Sequence, residues 1–511
     1  MEVLVDLVTD AADRPFHYCL PPELRGKVTP GSLVKVPFGR RQYFGYITRL
    51  LKQPEVEKVR PIDELISPGL LSPEQLELIP WLANRYYCRM IEALRAIIPA
   101  GNRRGKRTFK KQPANLDSYR PETDENCKPL ELTADQRQAV KIICSGLDRF
   151  TPQKFLLHGV TGSGKTEVYL RAIEHCLHQG REVIVLIPEI SLTPQMIERF
   201  KQRFSKQLAV LHSRLTPASR SREWERIKSG QAPVVLGARS AVFAPLSNIG
   251  LLIIDEEHEN SYKQEEAPRY HAREVAWWRA GYHRSVLVLG SATPSLESYY
   301  EVEQGRSKRL NMPARIESDL PPVQIVDMRS EIKQGHRHIF SRRLQEELSQ
   351  VITRGEQAIL FLNRRGFATF ILCRECGYVA RCPRCHISLT MHLSRRKIVC
   401  HYCSYESNVP QTCPNCGGIY IRFQGVGTER VEKEVKQLFP GPTVIRMDSD
   451  TTSKRGSHEL LYRQFRDKKA SILVGTQMIA KGLDFPEVTL VGVITADTAL
   501  NLPDFRAAER T

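Results

Sequence analysis

A glycine-rich pattern at residues 159–166, GVTGSGKT, predicts the fold of the chain around it. The pattern fits GxxxxGK[ST] and lies between an apolar segment, KFLLHG, and a helix-like segment, EVYLRAIEHCL. Backbone N–H groups in such a turn can surround phosphates, and the dipole of the following helix attracts their charge. Lys165 would reach the β- and γ-phosphates, and Thr166 would hold Mg²⁺. We therefore predict that ATP with Mg²⁺ binds at Gly159, Val160, Thr161, Gly162, Ser163, Gly164, Lys165 and Thr166.

Apolar segments alternate with helical ones on both sides of a cysteine-rich stretch. The first block contains KFLLHG, EVIVLIP, APVVLGA, GLLIIDE and SVLVLGSATP, and the second contains QAILFLN, PTVIRMD, ASILVGT and VTLVGVI. Alternation of this kind predicts parallel sheets with helices on both faces. The two blocks therefore look like two copies of one α/β fold.

The strand-like segment GLLIIDEEH ends in carboxylates about ninety residues after the glycine-rich pattern. Asp255 is suited to hold the Mg²⁺ of a bound nucleotide, and Glu256 to orient or deprotonate the attacking water. Alone, such a strand end could simply be solvated, but its position after a phosphate loop favours catalysis. The predicted catalytic residues are Lys165, Thr166, Asp255 and Glu256.

Length and charge limit the possible partners. The chain has 511 residues, enough for about three to five domains. A net charge of +18 favours nucleic acid over a basic surface without a partner. No apolar run is long enough for a transmembrane helix, and the acidic N-terminal segment differs from the basic start of a signal peptide. We therefore expect a cytoplasmic protein with no membrane partner.

Eight of the thirteen cysteines form four CxxC pairs within 44 residues. Disulfides are rare in a reducing compartment, whereas each CxxC pair can present two thiolates to one metal. Two pairs complete the tetrahedral Cys₄ site that structural zinc prefers, so we predict two Zn²⁺ ions, with an iron–sulfur cluster as the competing interpretation. Spacing alone does not determine which pairs share an ion. The predicted ligands are Cys373, Cys376, Cys382, Cys385, Cys400, Cys403, Cys413 and Cys416.

The residues before the first block indicate a β-rich domain and a linker. Residues 1–100 begin with short β-leaning segments broken by Pro and Gly, and a helical stretch then runs from Pro73 to about Ile98. Residues 101–131 form a linker whose first eleven residues include six basic ones. A solvated tether and a DNA contact are equally good interpretations of this linker.

Several motifs follow one another in order: LTADQ, GVTGSGKTEVY, PEISLTPQ, GARSAVFAPL, DEEHENSYKQEEAPRYHAREVA, GSATPS, LFLNRRGFA and GTQMIAKGLDFP. The series resembles superfamily 2 helicases, and over nearly the whole chain it is similar to the PriA family of primosomal replication-restart helicases. The aromatic loop after DEEH is the most specific part. The resemblance implies an α/β fold with two RecA-like lobes and a two-zinc, Cys-rich insert, preceded by a small β-rich DNA-binding domain.

The resemblance also implies a function and a domain organisation. The function is ATP-driven 3′-to-5′ unwinding of DNA at stalled forks and primosome assembly for replication restart. The implied partners are forked and single-stranded DNA, other primosome proteins, single-stranded DNA-binding protein and the replicative helicase with its loader. The domains would be a 3′-DNA-end-binding domain (1–100), a basic linker (101–131), the first lobe (132–310), the start of the second lobe (311–372), the zinc insert (373–416) and the rest of the second lobe (417–511).

Individual roles follow from the same resemblance. Gln136 would pair with the adenine edge, and Lys481, with Gly482 and Asp484, would couple nucleotide to DNA in the second lobe. In the family, the loop after the acidic strand senses DNA and signals to the ATP site, because aromatic rings can stack on bases while cations meet phosphates; a packed surface loop is the alternative. The cysteines would be nested, with Cys382/Cys385 joining Cys400/Cys403 inside an outer site of Cys373/Cys376 and Cys413/Cys416. The candidates for DNA contact are Phe16, His17, Tyr18, Gly39, Arg239, Tyr262, Lys263, Arg269, Tyr270, His271 and Lys481.

The chain departs from the family pattern at three points. His17 replaces the Asp that would meet a 3′ hydroxyl, although an imidazole can also form that hydrogen bond. About thirty residues separate the β-rich domain from the first lobe, too few for the family's winged-helix domain. The sequence ends at DFRAAERT, before the arginine-bearing motif of the second lobe. We therefore expect a truncated chain that binds ATP and DNA but hydrolyses ATP slowly and unwinds DNA poorly, whereas the full gene product is an active helicase. A non-hydrolysing fork-DNA-binding scaffold and an RNA helicase are the rival interpretations.

Overall fold

The computed structural model describes all residues except 54–55, 57–58, 104–130, 190–193, 214, 317–320, 363–369, 393–396, 424–426, 449, 453–456, 477–478, 480–484, 502–503 and 511. The described residues form two compact units, Met1–Leu320 and Pro321–Thr511. In the described part of the chain, no helix is long and apolar enough to cross a membrane.

The first unit begins with a six-stranded sheet. Its strands are β1 (Glu2–Val5), β2 (Pro15–Cys19), β3 (Leu33–Phe38), β4 (Arg41–Arg49), β5 (Arg60–Pro61) and β6 (Glu64–Ser67). Their order is β5-β2-β1-β4-β3-β6; the short β2–β5 pair is parallel and the other pairs are antiparallel. Successive residues of a strand point to opposite faces, so Val3 and Val5 pack into one core and Leu4 into another.

Two helices, α1 (Pro73–Tyr86) and α2 (Met90–Ile97), follow this sheet. The sequence predicted one helical stretch, but Tyr87 adopts a left-handed φ of 50°, which ends α1, and a second helix begins after Arg89. Leu78 and Leu82 of α1 lie in the same core as Leu4 and the buried side chains of the following α/β lobe. The β-rich domain and the lobe therefore share apolar packing.

The first α/β block forms a seven-stranded parallel sheet, ordered β13-β7-β12-β11-β8-β10-β9. Its strands are β7 (Gln153–Gly159), β8 (Glu182–Leu186), β9 (Leu208–Leu211), β10 (Val234–Gly237), β11 (Ile249–Ile254), β12 (Val286–Ser291) and β13 (Lys308–Met312). The parallel α/β fold is confirmed. The sheet extends past residue 310, because β13 pairs with β7 as far as Met312.

Among the described residues of this block, six helices accompany the sheet: α3 (Ala134–Asp148), α4 (Lys165–His178), α5 (Pro194–Phe204), α6 (Pro217–Lys228), α7 (Ala272–His283) and α8 (Leu296–Glu303). Neighbouring strand residues enter different cores, with Val185 on one face of the sheet and Ile184 on the other. Burial on both faces explains why β8, β11 and β12 are continuous apolar runs rather than alternating ones.

The second unit contains a four-stranded parallel sheet, ordered β20-β21-β14-β22. These strands are β14 (Gln357–Leu362), β20 (Val444–Met447), β21 (Ile472–Gly475) and β22 (Val488–Ile494), and each corresponds to a predicted segment. The accompanying helices are α9 (Met328–Lys333), α10 (Arg342–Thr353), α11 (Thr428–Leu438), α12 (Ser457–Arg466) and α13 (Ala507–Arg510). A second α/β lobe is therefore confirmed.

A cysteine-rich module interrupts the second lobe between β14 and α11. Its strands are β15 (Ile371–Cys373), β16 (Thr390–His392), β17 (Lys397–Val399), β18 (Glu406–Asn408) and β19 (Ile421–Phe423). β15 pairs with β19, and β16, β17 and β18 form an antiparallel three-stranded sheet. Each strand is only three residues long, so backbone pairing alone gives this module little stability.

Candidate functional site

The glycine-rich pattern connects β7 to α4, as the sequence predicts. Gly162 and Gly164 have φ of 81° and 79°, in the left-handed region that glycine adopts without strain. The Lys165 ammonium donates hydrogen bonds to the carbonyl oxygens of Gly159 at 2.8 Å and Val160 at 3.5 Å. The loop therefore encloses the ammonium, and a phosphate oxygen could replace these carbonyls.

Gln136 supports the loop from α3. It forms a capping box with Thr133, and its Nε2 donates to the carbonyl of Ser163 at 3.0 Å. Both polar atoms of the amide are thus used inside the protein in this conformation. The left-handed φ of 79° at Gly164 favours glycine there, and an added Cβ would also displace the Gln136 amide. The predicted contact with adenine would require the amide to exchange one of these partners.

The segment after β13 supports the loop from the other side. The Val160 N–H donates to the carbonyl of Met312 at 3.1 Å, and the Arg315 Nε donates to that of Thr161 at 3.0 Å. The motifs gave no signal for Arg315, because its contact depends on the position of β13. A cavity of about 200 Å³ beside the loop is lined by Thr133, Ala134, Asp135, Ser163, Met312, Ala314 and Arg315.

Asp255 and Glu256 follow β11, at the same edge of the sheet as the glycine-rich loop. Asp255 is buried, and its carboxylate accepts a hydrogen bond of 2.9 Å from the Tyr169 hydroxyl of α4. Burial raises the pKa of Asp255, while the Tyr169 hydroxyl and the Lys165 charge oppose that rise. Glu256 has a φ of 47°, rare for a residue with a side chain. The fold therefore brings the loop lysine and both acidic residues to one edge of the sheet.

Glu257, the next residue, is a buried carboxylate that the sequence did not single out. It accepts a hydrogen bond from the Ser295 N–H at 2.7 Å and pairs with the Arg273 guanidinium at 2.9 Å. Beside it, the Nδ1 of His258 lies 2.7 Å from the Ser291 hydroxyl. These contacts tie the acidic strand end to the GSATPS segment and to α7.

The predicted DNA loop, between β11 and α7, packs against the lobe. Tyr262 and Tyr270 are 1% and 3% exposed, so neither ring face is available to a base in this conformation. The Tyr262 hydroxyl lies 2.6 Å from the carbonyl oxygen of Asp255 and 3.1 Å from that of Leu186. Tyr270 packs edge-on against Phe243, with ring centroids 4.9 Å apart. Stacking on a base would therefore require the loop to rearrange, and its present contacts are with the acidic strand.

Three predicted cations hold the backbone of this loop. Arg239 donates to the carbonyls of Ser261 at 3.0 Å and Lys263 at 2.7 Å. The Lys263 ammonium donates to the carbonyl of Arg269, and the Arg269 Nε to that of Glu265 at 3.1 Å. Lys263 and Arg269 are exposed. Phosphates could therefore compete with the loop carbonyls for these cations.

In the N-terminal sheet, the predicted residues of β2 lie against the end of β3. Tyr18 is buried, and its hydroxyl donates to the Pro37 carbonyl at 3.0 Å. Phe16 packs edge-on against Phe38, with ring centroids 4.9 Å apart. The fold thus brings the predicted contact residues of β2 next to the strand end that leads to Gly39, the other predicted DNA contact of this domain. Within this group, Tyr18 has a packing role and Phe16 is half-buried.

His17 and Gly39 belong to the same corner of the sheet. The His17 imidazole lies 4.0 Å from the Glu2 carboxylate. Gly39 occupies the turn between β3 and β4 with a φ of 60°, and its carbonyl accepts a hydrogen bond from Arg60 at 3.2 Å. An added Cβ at Gly39 would meet no atom within 4 Å, so the turn conformation rather than crowding favours glycine there.

The cysteines fall into two groups of four. The groups are Cys373, Cys376, Cys413 and Cys416, and Cys382, Cys385, Cys400 and Cys403, and within each group all sulfurs lie within 4.8 Å of one another. Sulfur–sulfur distances of 3.6–3.7 Å occur in both groups. A tetrahedral ion with Zn–S bonds of about 2.3 Å places its sulfurs about 3.8 Å apart. Both groups therefore fit zinc, in the nested arrangement that the resemblance implies.

Each CxxC pair forms the same backbone turn. In the first, the Cys373 N–H donates to the Tyr378 carbonyl at 2.8 Å and the Gly377 N–H donates to the Cys373 carbonyl at 2.9 Å. The residue after each pair has a left-handed φ: 81° at Gly377, 57° at His386, 58° at Ser404 and 70° at Gly417. The outer site therefore has glycine at this position and the inner site does not.

Some predicted residues lie outside the described part of the chain. They are Lys481, Gly482 and Asp484 of the second lobe and most of the basic linker, residues 104–130. The roles predicted for them remain predictions from the sequence.

Comparison with protein families confirms the resemblance. Residues 133–302 match the DEAD/DEAH box helicase family, and residues 420–505 match the helicase conserved C-terminal domain. Residues 2–99 match the PriA 3′ DNA-binding domain, and residues 382–407 match the Cys-rich region domain of the PriA DNA helicase. Two helicase models and two PriA-specific models thus match in order along one chain.

Relatives extend this match to the whole chain. The replication restart protein PriA of Bacillus subtilis (strain 168) is 40% identical, over 100% of this chain and 80% of that protein. PriA of Treponema pallidum (strain Nichols) is 40% identical over 99% of this chain and 76% of its own length, and PriA of Haemophilus influenzae is 35% identical over 97% and 77%. A solved structure of RecG bound to a three-way DNA junction covers 71% of this chain and 38% of that chain, with a TM-score of 0.40 and 18% identity, and adds nothing to the assignment. The chain belongs to the PriA family of replication restart helicases.

Proposed function

We propose that this chain couples ATP hydrolysis to 3′-to-5′ unwinding of DNA at stalled replication forks, and so prepares the fork for primosome assembly. One observation supports the proposal most: the Lys165 ammonium, Asp255 and Glu256 lie at one edge of the seven-stranded sheet. Nucleotides bind at this edge of open parallel sheets, outside the carboxyl ends of the strands. Membership of the PriA family supports the fork as the substrate.

Each residue at this edge has a distinct chemical task. Lys165 would leave the carbonyls it now binds and neutralise the β- and γ-phosphates. The Thr166 hydroxyl and the Asp255 carboxylate would hold Mg²⁺, because that ion prefers oxygen ligands. Glu256, on the next residue of the chain, would orient the attacking water and accept its proton. Tyr169 fixes the Asp255 carboxylate through its hydroxyl.

The cavity beside the glycine-rich loop suits the nucleotide's base. It opens between the start of α3 and the segment after β13, next to Ser163 of the loop. Gln136 already contacts this loop, so an adenine in the cavity would lie within reach of the same amide. The Arg315 guanidinium lines the cavity and could stack on a purine ring.

DNA would bind through cations that now hold the loop carbonyls and through the corner of the N-terminal sheet. Arg239, Lys263 and Arg269 would meet phosphates, and Lys481 would do so from the second lobe. Phe16, His17 and Gly39 would receive the 3′ end. The two cysteine groups would hold Zn²⁺ and keep the module's surface in shape for forked DNA or for partner proteins of the primosome. A protein that acts on forks of chromosomal DNA would be located in the cytoplasm.

Replacing the loop lysine tests the proposal. We expect forked DNA to stimulate ATP hydrolysis by the unaltered chain, and Lys165→Ala to lower the hydrolysis rate by at least about a hundredfold. Binding of forked DNA should stay within about twofold, because Lys165 lies apart from the proposed DNA contacts. Lys141→Ala, an exposed lysine of α3, is the matched control and should change neither property.

Three outcomes would count against the proposal. Equal loss of ATPase activity and fork binding in Lys165→Ala would contradict the separate nucleotide site. Equal stimulation of hydrolysis by RNA and DNA would favour an RNA helicase. Binding of ATP and forks by the unaltered chain, without DNA-stimulated hydrolysis, would favour a scaffold.

A further inference from the structure

Helix α1 of the N-terminal region lies along α7, the helix that follows the predicted DNA loop. Near the end of α7, Glu74 pairs with the Arg279 guanidinium through contacts of 2.5 and 2.7 Å. At the preceding residue, the Trp81 and Trp278 ring centroids are 5.8 Å apart, and near the start of α7 the Glu274 carboxylate binds Arg85 and Tyr86. The two helices are thus in contact along most of the length of α7.

The Glu74 contact anchors α1 firmly to the lobe. Glu74 and Arg279 are 3% and 1% exposed, and the guanidinium also donates to the carbonyls of Val242 at 2.6 Å and Ala244 at 3.0 Å. Breaking a buried pair of this kind leaves an uncompensated charge, which strongly disfavours separation. Helix α1 is therefore firmly attached to the first lobe.

At the other end of the contact, Tyr86 lies against the neck of the loop, the place where its two ends, at Lys263 and His271, pair with each other. Lys263 and His271 face each other there as an isolated antiparallel bridge, and the Gln264 N–H donates to the Tyr270 carbonyl at 2.8 Å. The His271 N–H donates to the Tyr86 hydroxyl oxygen at 3.1 Å, and the Lys263 ammonium lies 5.2 Å from the Tyr86 ring centroid. Both residues of the neck therefore contact this one side chain.

The Tyr86 hydroxyl is used as both donor and acceptor. It donates to the Glu274 carboxylate at 2.9 Å while accepting from the His271 N–H. Arg85 holds the same carboxylate through two hydrogen bonds of 2.9 and 3.0 Å. Burial alone would raise the pKa of Glu274, but hydrogen bonds from Arg85 and Tyr86 lower it, so the acceptor stays ionised. A hydrogen bond to a charged group is stronger than one between neutral groups.

A short path of contacts leads from Tyr86 to the nucleotide edge. Tyr86 holds His271 and Lys263 at the neck, and Tyr262 precedes Lys263 in the chain. The Tyr262 hydroxyl touches the backbone carbonyl of Asp255 at 2.6 Å. A shift of the neck would therefore move Tyr262 and disturb the residue proposed to hold Mg²⁺.

We infer that Tyr86 is a positioning residue that holds the DNA loop in its resting arrangement and thereby sets how strongly ATP hydrolysis depends on DNA. The inference rests on the proposed function, since it assumes that the loop responds to DNA. It assigns to the N-terminal region a part in controlling hydrolysis that does not depend on capture of a DNA end.

Tyr86→Phe isolates the hydroxyl, because the ring beneath Lys263 is kept. Tyr87→Phe is the matched control: it makes the same chemical change at the adjacent residue, which is 97% exposed. We measure ATP hydrolysis with and without a single-stranded DNA that lacks any fork. We expect Tyr86→Phe to lower the stimulation ratio, which is the rate with DNA divided by the rate without DNA. The expected decrease is about five- to tenfold, the effect of losing one strong hydrogen bond from one state. Tyr87→Phe should leave the ratio unchanged.

A structural effect alone would look different. It would lower both rates together or shift the melting temperature, with the ratio preserved, and that result would overturn the inference. A ratio equal to that of Tyr87→Phe would overturn it as well. If DNA fails to stimulate the unaltered chain, the proposed function fails first.

Hydrogen exchange then tests the contact independently of activity. In DNA-free protein, the amide of His271 and its neighbours across the neck should exchange faster in Tyr86→Phe than in Tyr87→Phe, because the acceptor of the His271 N–H is gone. Identical exchange in the two variants would show that Tyr86 does not hold the neck.

Discussion

The first lobe and the cysteine module keep their shapes by different means. The lobe has buried apolar residues on both faces of a seven-stranded sheet. The module's core contains four buried cysteines, Cys373, Cys382, Cys400 and Cys413, beside a few apolar side chains. Its strands are three residues long, against four to seven in the lobe. The lobe can therefore fold around its own core, whereas we expect the module to need bound metal ions for its fold.

The two regions also differ in where their candidate functional residues lie. In the lobe, the proposed catalytic groups lie on loops at the edge of a sheet that is stable without them. In the module, the candidate metal ligands are the core. A change at the lobe's edge should alter chemistry and spare the fold, and a change at the module's cysteines should remove the fold of that region.

Loss of zinc should have the largest effect. We expect Cys385→Ser to abolish the inner site and to unfold the residues that it encloses, 382–403, because structural Cys₄ zinc contributes on the order of 10 kcal/mol to folding of small domains. Elemental analysis should give two zincs in the unaltered chain and about one in the variant. Cys19→Ser, an exposed cysteine of β2, is the control and should keep both. Iron in place of zinc, or unfolding of the first lobe together with the module, would break the comparison.

The next largest effect should come from the buried ion pair of the lobe. Glu74→Ala leaves the buried Arg279 guanidinium without its carboxylate partner. In proteins such a loss typically lowers the free energy of unfolding by about 3–5 kcal/mol, or about a third of a domain's stability. Urea unfolding of the first unit should show that loss. Glu77→Ala, an exposed position on the same helix, should stay within about 0.5 kcal/mol. Equal effects from the two variants would show that α1 is not anchored through Glu74.

Acid should weaken the lobe through His271. Burial lowers the pKa of His271 to about 4 from its ordinary value of 6.5. Between pH 6.5 and 4 the unfolded chain therefore binds more protons than the folded one, and stability falls as pH falls, by up to about 3 kcal/mol. His271→Asn keeps an acceptor at the start of α7, where His271 now accepts from the Arg273 N–H, and should flatten that fall. Unfolding curves at pH 6.5 and pH 4 give the free energy of unfolding at each pH. An equal decrease in the unaltered chain and in His271→Asn would contradict the role assigned to His271.

The smallest effect concerns backbone strain inside the module. His386 has the left-handed φ that glycine supplies in the outer site. We expect His386→Gly to strengthen the inner site by about 0.5–1 kcal/mol, since a left-handed residue with a side chain costs about 1–2 kcal/mol and glycine loses part of that gain through chain entropy. Competition with a zinc chelator measures this change. Gly417→Ala in the outer site should act in the opposite direction, and weaker zinc retention in His386→Gly would contradict the idea.

The sequence predicted the parallel strands well, because strands buried on both faces are continuous apolar runs. It missed β9, and it missed β13, which contains Lys308, Arg309 and Asn311 at exposed positions. It also missed the break between α1 and α2, since nothing in the local pattern indicates the left-handed conformation of Tyr87. Local periodicity therefore predicted most elements but not every boundary.

In the candidate site, too, the sequence predicted some residues and missed others. The motifs predicted Lys165, Asp255 and Glu256, because their chemistry is bound to a fixed spacing. They gave no sign of Tyr169, which meets Asp255 across 86 residues, or of Tyr86, which meets His271 across 185. Tyr262 and Tyr270, for which a DNA contact is predicted, are buried in this conformation, as in the alternative of a packed loop. Composition indicates that a loop is aromatic, but only packing decides which side of each ring is covered.

The nested cysteine groups also fix an order of events during synthesis on the ribosome. Cys403 is the last inner ligand to emerge, ten residues before Cys413, the first cysteine that the outer site still lacks. The inner group is complete while the outer one holds only Cys373 and Cys376. A nascent chain can thus close a small loop of fourteen residues between Cys385 and Cys400 before it must close the larger one. If the inner site binds its ion first, only the thiolates of Cys373 and Cys376 remain without a metal until Cys413 and Cys416 are synthesised. This order limits the wrong pairings that eight similar ligands would otherwise allow.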